Sequence, residues 1–297
     1  MRRLRLRGQI FTIRFLETPE AMTEVEAVQR VVWPGSETDI VPDHLLLTIA
    51  HNGGVVLGAY HEESGQMAGF VYGFPCMDET PQGWRFKHCS HQLGVRPEFR
   101  NFGLSFHLKR AQWQWVRHQG LPLITWTYDP LLSRNAHLNI RKLGGICRTY
   151  LREVYGTMRD GLNAGLPSDR FLVEMWVESP RVLRRLEDPP PQPLDLAHYL
   201  SAGAAILNPT ARGPHGFPEP MPPPHQPHGD LLLVEIPPDF QTMRQQAPAL
   251  ALRWRLHARA IFEDLFAKGY MITDFIYLPE NPPRSFYVLS HSEATLG

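Results

Sequence analysis

Apolar positions along the chain recur with two periods, and the switches between them mark its elements. Residues 11–15 alternate as a strand does, with Phe11, Ile13 and Phe15 on one side. From Pro19, at a helix N1 position, Met22, Val25, Val28 and Val32 follow at helical spacing and predict a helix over 20–32. A second short helix fits 42–50 and ends at Asn52-Gly53-Gly54. Residues 55–61 and 67–75 read as a hairpin across Glu63-Ser64-Gly65, and 84–95 as a longer strand broken by Arg96-Pro97. After Gly103 a helix runs to His118, with Leu104, Leu108, Ala111 and Trp115 as its core stripe and Gly120 as its stop. A strand over 123–128, a helix over 133–143 ended by Gly144-Gly145, and strands over 146–154 and 171–177 complete this part. The order β-α-α-β-β-β-α-β-α-β-β is of the α/β class, a mixed sheet with helices on its faces. Farther on, a strand (231–236), a helix (243–267) and two strands (271–277, 285–289) form a β-α-β-β extension. Leu250, Trp254, Ile261 and Leu265 mark the apolar face of its helix.

Composition adds a boundary. The chain has 297 residues, of which 28 are proline, and twelve of those lie between Asp188 and Gly229. Proline lacks a donor and disfavours helix in the residue before it, so this stretch is expected to be extended or irregular, with room for a short helix within 194–207. Three parts follow: a body at 9–187, a connector at 188–229 and a C-terminal segment at 230–291. Thirty basic residues balance thirty acidic ones, which argues against a bulk nucleic-acid or anionic-membrane binder. The basic Arg2, Arg3, Arg5 and Arg7 read as a solvated tail, since no apolar run follows them to make a secretory signal. Nothing approaches 18 uninterrupted apolar residues, as a membrane helix would need. Cys76, Cys89 and Cys147 fit neither a disulfide framework nor a zinc ribbon, so a cytoplasmic protein without metal is expected.

The informative stretch is 88–145. A strand ends in Leu93-Gly94-Val95, and Arg100-Asn101-Phe102-Gly103-Leu104-Ser105 leads directly into a helix. A glycine turn at a helix N-terminus offers unpaired amides and a positive dipole end, which suits a phosphate. On the strand itself His88 and Ser90 share one face, and Cys89 and His91 the other. His88 and His91 would point to opposite faces, against a metal pair.

The element order, the Arg100-x-x-Gly103-x-Ser105 turn and the later helix ending Arg141-Lys142-Leu143-Gly144 resemble the GCN5-related N-acetyltransferase (GNAT) superfamily over residues 9–178. Ser105 stands where that family usually has Gly or Ala. The resemblance implies a sheet splayed between its fourth and fifth strands, with a pantetheine arm lying in the gap. It implies that the backbone of Leu93 and Val95 holds pantetheine, and that the amides of Arg100, Asn101, Phe102, Gly103, Leu104 and Ser105 hold the pyrophosphate. It further implies a tyrosine acid at the position occupied by Ile140. That tyrosine is missing, so Tyr150 stands in as the acid, with His88 and Ser90 on the base side. Asn135 and Asn139 on the later helix, Asp129 before it and Tyr150 beyond it are open candidates for contact with cofactor or substrate, and of these Asn135 is favoured as a CoA-arm contact. The leading expectation is an N-acyltransferase moving an acetyl or succinyl group from CoA to a small-molecule amine, such as an amino acid. Two other readings stand beside it. One is a silent CoA-binding or regulatory protein on the same fold; the other is an assembly module, such as a homodimer, built through the C-terminal segment.

Overall fold

Arg and Leu alternate over the first residues, and an edge strand results where a tail was expected. In the computed structural model, which describes residues 2–35, 37–156, 166–186, 194–213, 216–222 and 228–291, β1 (Arg2–Leu6) pairs antiparallel with β2 (Gln9–Phe15). Arg7 and Gly8, both at positive φ, make the two-residue turn between them. Leu4 and Leu6 turn inward and pack on the core, while Arg3 turns outward to Glu62. The alternation was the signal, and charge density concealed it.

The described residues divide into two compact units. The first holds 2–126 and Trp176–Glu178. Helix α1 (Pro19–Val32) is capped by Thr18 and buries Met22, Val25, Val28 and Val32. Helix α2 is Asp43–His51. Strands β3 (Val55–His61), β4 (Met67–Thr80) and β5 (Gly83–Val95) continue the antiparallel meander, and β6 (Leu123–Tyr128) joins β5 in parallel. The strand order is β1-β2-β3-β4-β5-β6. Helix α3 (Leu104–His118) covers one face, where Phe11, Ile13, Leu57, Val71 and Val95 meet Leu104 and Leu108. The other face carries α1 and α2 against Leu16, Val56, Phe70 and Tyr72. This is the mixed sheet with helices on its faces that the pattern implied.

The second unit begins at Thr127. A helix starts as α4 (Ser133–Ala136) and widens over His137–Lys142 into a π winding, with the Leu143 amide reaching back to Leu138. Then come β7 (Ile146–Leu151), β8 (Arg170–Trp176), α5 (Pro180–Leu186) and α6 (Leu196–Ser201). Strands β9 (Ala205–Ile206), β10 (Thr210–Arg212) and β11 (Pro218–Pro220) are short, and β10 pairs only with β11. Strand β12 (Leu231–Ile236) leads to α7 (Phe240–Gln246) and α8 (Pro248–Ala267), one helical pattern broken at Ala247-Pro248. Strands β13 (Met271–Leu278) and β14 (Arg284–Ser290) close the chain, in the order β8-β7-β13-β14-β12-β9. The segment 230–291 thus shares a sheet with β7 through Ile272↔Cys147. Leu250, Trp254, Ile261 and Leu265 are buried as the pattern implied, with Phe262 packed edge-on to Phe171. Of the proline-rich stretch, residues 187–193, 214–215 and 223–227, including Pro189-Pro190-Pro191 and Pro223-Pro224, lie outside the described residues.

Candidate functional site

The first unit carries the constellation, and it starts from a break in strand pairing. β5 and β6 are joined at His88↔Ile124 and Cys89↔Thr125, and among the described residues no ladder pair to β6 follows Cys89. The rest of β5 keeps its pairing to β4. The Arg96 amide bonds the Ala68 carbonyl, and backbone groups along an extended strand alternate sides, so those of Val95 and Leu93 face away from β4. One of them, the Val95 carbonyl, accepts a bond from Arg100 Nε at 3.3 Å. Apart from that carbonyl, the strand edge from Ser90 to Val95, about 16 Å long at 3.3 Å per residue, has no ladder partner among the described residues.

At the far end of that edge lies the glycine turn. Pro97–Phe102 forms a 3₁₀ turn, anchored by Phe99 and Phe102 against Phe11. Gly103 then takes φ 77°, ψ 15° and α3 begins. No side chain caps its first turn. Asn101 and Gly103 are exposed, Ser105 is half-buried and Leu104 faces the core. Gly103 is there for its backbone angle, since a Cβ at that position would meet nothing within 4 Å.

At the near end, side chains from β5, α3 and β6 converge. Lys109 Nζ donates to Ser90 Oγ at 2.7 Å, and Ser90 Oγ donates to Gln112 Oε1 at 2.7 Å. Gln112 Nε2 is 3.2 Å from His88 Nε2. The donors therefore run one way, from Lys109 to His88, which leaves His88 neutral with its proton on Nδ1. Lys109 Nζ also stands 3.7 Å over the ring of Trp126. Ser90 and Trp126 are the first residues beyond the last β5–β6 pair, so the ammonium occupies the fork itself. His88 has no exposed surface and Lys109 only 5%. Burial, then the charge of Lys109, pushes the His88 ring down to about 3, and burial pushes Lys109 down to about 7. Among the described residues no carboxylate lies within 4.0 Å of Lys109 Nζ, and neither Trp126 Nε1 nor His88 Nδ1 has a hydrogen-bond partner. Buried orphan donors are uncommon in folded chains.

The strand expectation for His88 and Ser90 is met: both face α3, while His91 faces the other way beside Tyr72 and Phe74. A bulge at His91, between Tyr72↔Gln92 and Gly73↔Ser90, then shifts the phase so that Leu93 joins the same face. Cys89 is half-buried, its thiol raised by burial. The remaining candidates belong to the second unit. Asn135 is half-buried on α4, and Ile140 is wholly buried. Tyr150 donates its hydroxyl to Asp169 Oδ2 at 2.7 Å, and Arg259 grips both oxygens of that carboxylate at 2.8 Å. Burial and then the carboxylate push the Tyr150 hydroxyl far upward.

Sequence reasoning did not find Lys109, Gln112 or Trp126. A helical stripe continued as Ala111 and Trp115 hid them, whereas the buried residues after Leu108 are Lys109, Gln112, Trp113 and Val116. The available signal was that Lys109 is one of only four lysines in the chain.

Among the described residues, no group of three or more His, Cys, Asp or Glu is placed to hold a metal, and no helix is long and apolar enough to cross a membrane. No family model matches the chain, and no curated protein matches its sequence. Solved structures do resemble it. An acetyltransferase of the GNAT family from Streptococcus pneumoniae is 18% identical, covering 56% of this chain and 99% of its own, at a TM-score of 0.42. The ribosomal-protein-S5-alanine acetyltransferase from Vibrio fischeri is 14% identical, covering 57% and 93%, at 0.43. The NatC complex, bound to Gag peptide and CoA, is 13% identical over 56% and 98%, at 0.44.

Proposed function

We propose that the chain is an acyl-CoA-dependent N-acyltransferase that moves an acetyl or succinyl group to the amine of a small molecule such as an amino acid. One observation carries the reading: β5 has a free backbone edge that runs from a forked strand pair to the uncapped first turn of α3. An extended amide-bearing arm can pair with such an edge through Leu93 and Val95, while a pyrophosphate meets the α3 amides at its end. Arg100 adds a charge beside the turn, its Nε already on the Val95 carbonyl. CoA supplies the activated acyl group; the protein binds it, orients it and manages protons. Ser90 and His88 are assigned to orientation, because the Ser90 proton is committed to Gln112 and the His88 ring is sealed and neutral. Tyr150 is assigned to stability, its only proton being held by Asp169.

A second reading, CoA binding without turnover, has one residue in its favour: Ile140 fills with core the place where the resemblance would put an acid. The test separates the two. Acetyl-CoA or succinyl-CoA is expected to raise the melting temperature, and thiol release is expected with at least one member of a panel of amines and amino acids. Stabilisation without thiol release favours the second reading, and no stabilisation by any CoA ester ends both.

A further inference from the structure

We propose that Lys109 is the proton donor to the thiolate that leaves the acyl donor, held for that task by Ser90, Gln112 and His88. The inference rests on the acyltransferase reading and assigns a residue that neither motif nor resemblance pointed to. Its first support is position. An arm laid along the free edge from the α3 turn ends at Ser90, and the Lys109 ammonium is bonded to Ser90 at the fork. Its second is chemistry. A buried ammonium ordinarily carries a carboxylate partner; this one has a hydroxyl, an aromatic face and at least one N–H left over. β5 offers neutral His88, with the thiol of Cys89 on the strand's other face acting on Lys109 only through its charge, β6 offers Trp126, and β4 offers Gly73, whose missing side chain makes room for His88 and Gln112. None of them is an acid that would fix the ammonium as a structural ion pair.

The step balances. As the acceptor nitrogen bonds to the acyl carbon, the carbon–sulfur bond breaks and its electron pair goes to sulfur. Lys109 Nζ gives that sulfur a proton and becomes a neutral amine. The acceptor nitrogen gives up its own proton to solvent, and Lys109 takes one back from solvent. The products are an amide and free thiol. A proton donor titrating near 7 is suited to both halves of that exchange.

Two variants test the assignment, with acetyl-CoA affinity and thiol release measured side by side. Lys109→Met removes charge and proton; Lys109→Arg keeps the charge but cannot give up a proton at working pH. Both are expected to bind acetyl-CoA within about threefold of the parent and to lose kcat by roughly 10²–10⁴-fold. Both should also lose the parent's decline in kcat above pH 7. Lys109→Arg with parental kcat would show that charge alone is needed and overturn the assignment. So would Lys109→Met with weakened binding and unchanged kcat, which would make Lys109 a binding residue. A parent that binds acetyl-CoA but never releases thiol removes the proposal and leaves CoA binding standing; a parent that binds no CoA ester removes both.

Discussion

Lys109 is expensive to keep, and that cost can be measured apart from activity. Burial lowers it from its ordinary 10.5 to about 7, so between those pH values the unfolded chain holds a proton that the folded chain has released. Stability must therefore rise with pH across that window and level off above it. His88, lowered from 6.5 to about 3, acts in the acid range by the same logic: stability falls as pH drops from 6.5 toward 3. Replacing a buried uncompensated charge with a matched apolar chain is often stabilising by about 1–4 kcal/mol. Lys109→Met should thus melt higher than the parent at pH 7, and a thermal scan from pH 7 to 10 should lose the parent's upward slope. A lower melting temperature with the slope intact would mean that the ammonium is compensated in some other way. Gly73 supplies the matching test on the opposite side of the cluster. An added Cβ would meet His88 Nε2 at 2.3 Å and the Cys89 carbonyl at 2.4 Å, so Gly73→Ala must push the chain of donors apart. A loss of about 1–3 kcal/mol is expected from overpacking, together with reduced kcat; unchanged melting and turnover would show the cluster to be tolerant of displacement.

At the level of elements, the glycine turn and helix α3 carry the anion-binding part of the reading. Gly103 sits at φ 77° with open space around it, so Gly103→Val produces no clash and costs only the left-handed backbone, about 1–2 kcal/mol. If the turn cradles a phosphate, the dissociation constant for acetyl-CoA should rise roughly tenfold as the amides reorient, and titration calorimetry reads this directly. Unchanged affinity would remove the turn from the site. Much of this element was legible beforehand. Helix limits at Pro19 and Gly103 follow from backbone chemistry that a sequence displays openly, and the bounds of β3 and β6 follow from uninterrupted apolar runs. What could not be read depends on partners distant in sequence. Lys109 and Gln112 look like solvent-facing residues until Ser90, His88 and Trp126 are brought beneath them. The bulge at His91 shifts the phase of β5 without leaving any trace in composition. Strand β1 was concealed by its arginines, because a half-buried edge strand needs apolar residues only at every second position.

Across the whole chain, proline content marked a boundary in sequence that is not a boundary in packing. The connector separates 9–187 from 230–291, yet within the second unit the later segment completes what the earlier one begins. Phe171 on β8 packs edge-on against Phe262 and Tyr287, the Tyr128 and Tyr287 hydroxyls share a bond at 3.1 Å, and Ser133 meets Ser285. Charge follows the same pattern: Asp129 is paired with Arg255, and Asp169 with Arg259. These pairs decide what truncation does. A chain ending at Leu186 loses both arginines, and two buried carboxylates keep hydrogen-bond donors in Tyr150 and the Leu131 amide but lose their cationic partners, each at a cost of up to about 3–5 kcal/mol by the usual penalty for breaking a buried pair. It also exposes the β7 edge that β13 covers and the aromatic face under α8. Such a chain should aggregate on expression, or show a lost near-ultraviolet signal and protease sensitivity confined to residues after Thr127. If the C-terminal segment were instead a detachable assembly module, the truncated chain would remain soluble and cooperatively folded, and only its mass by light scattering would change. The two outcomes exclude one another, because the residues after Thr127 cannot both lose their packing when Arg255 and Arg259 are removed and stay cooperatively folded without them.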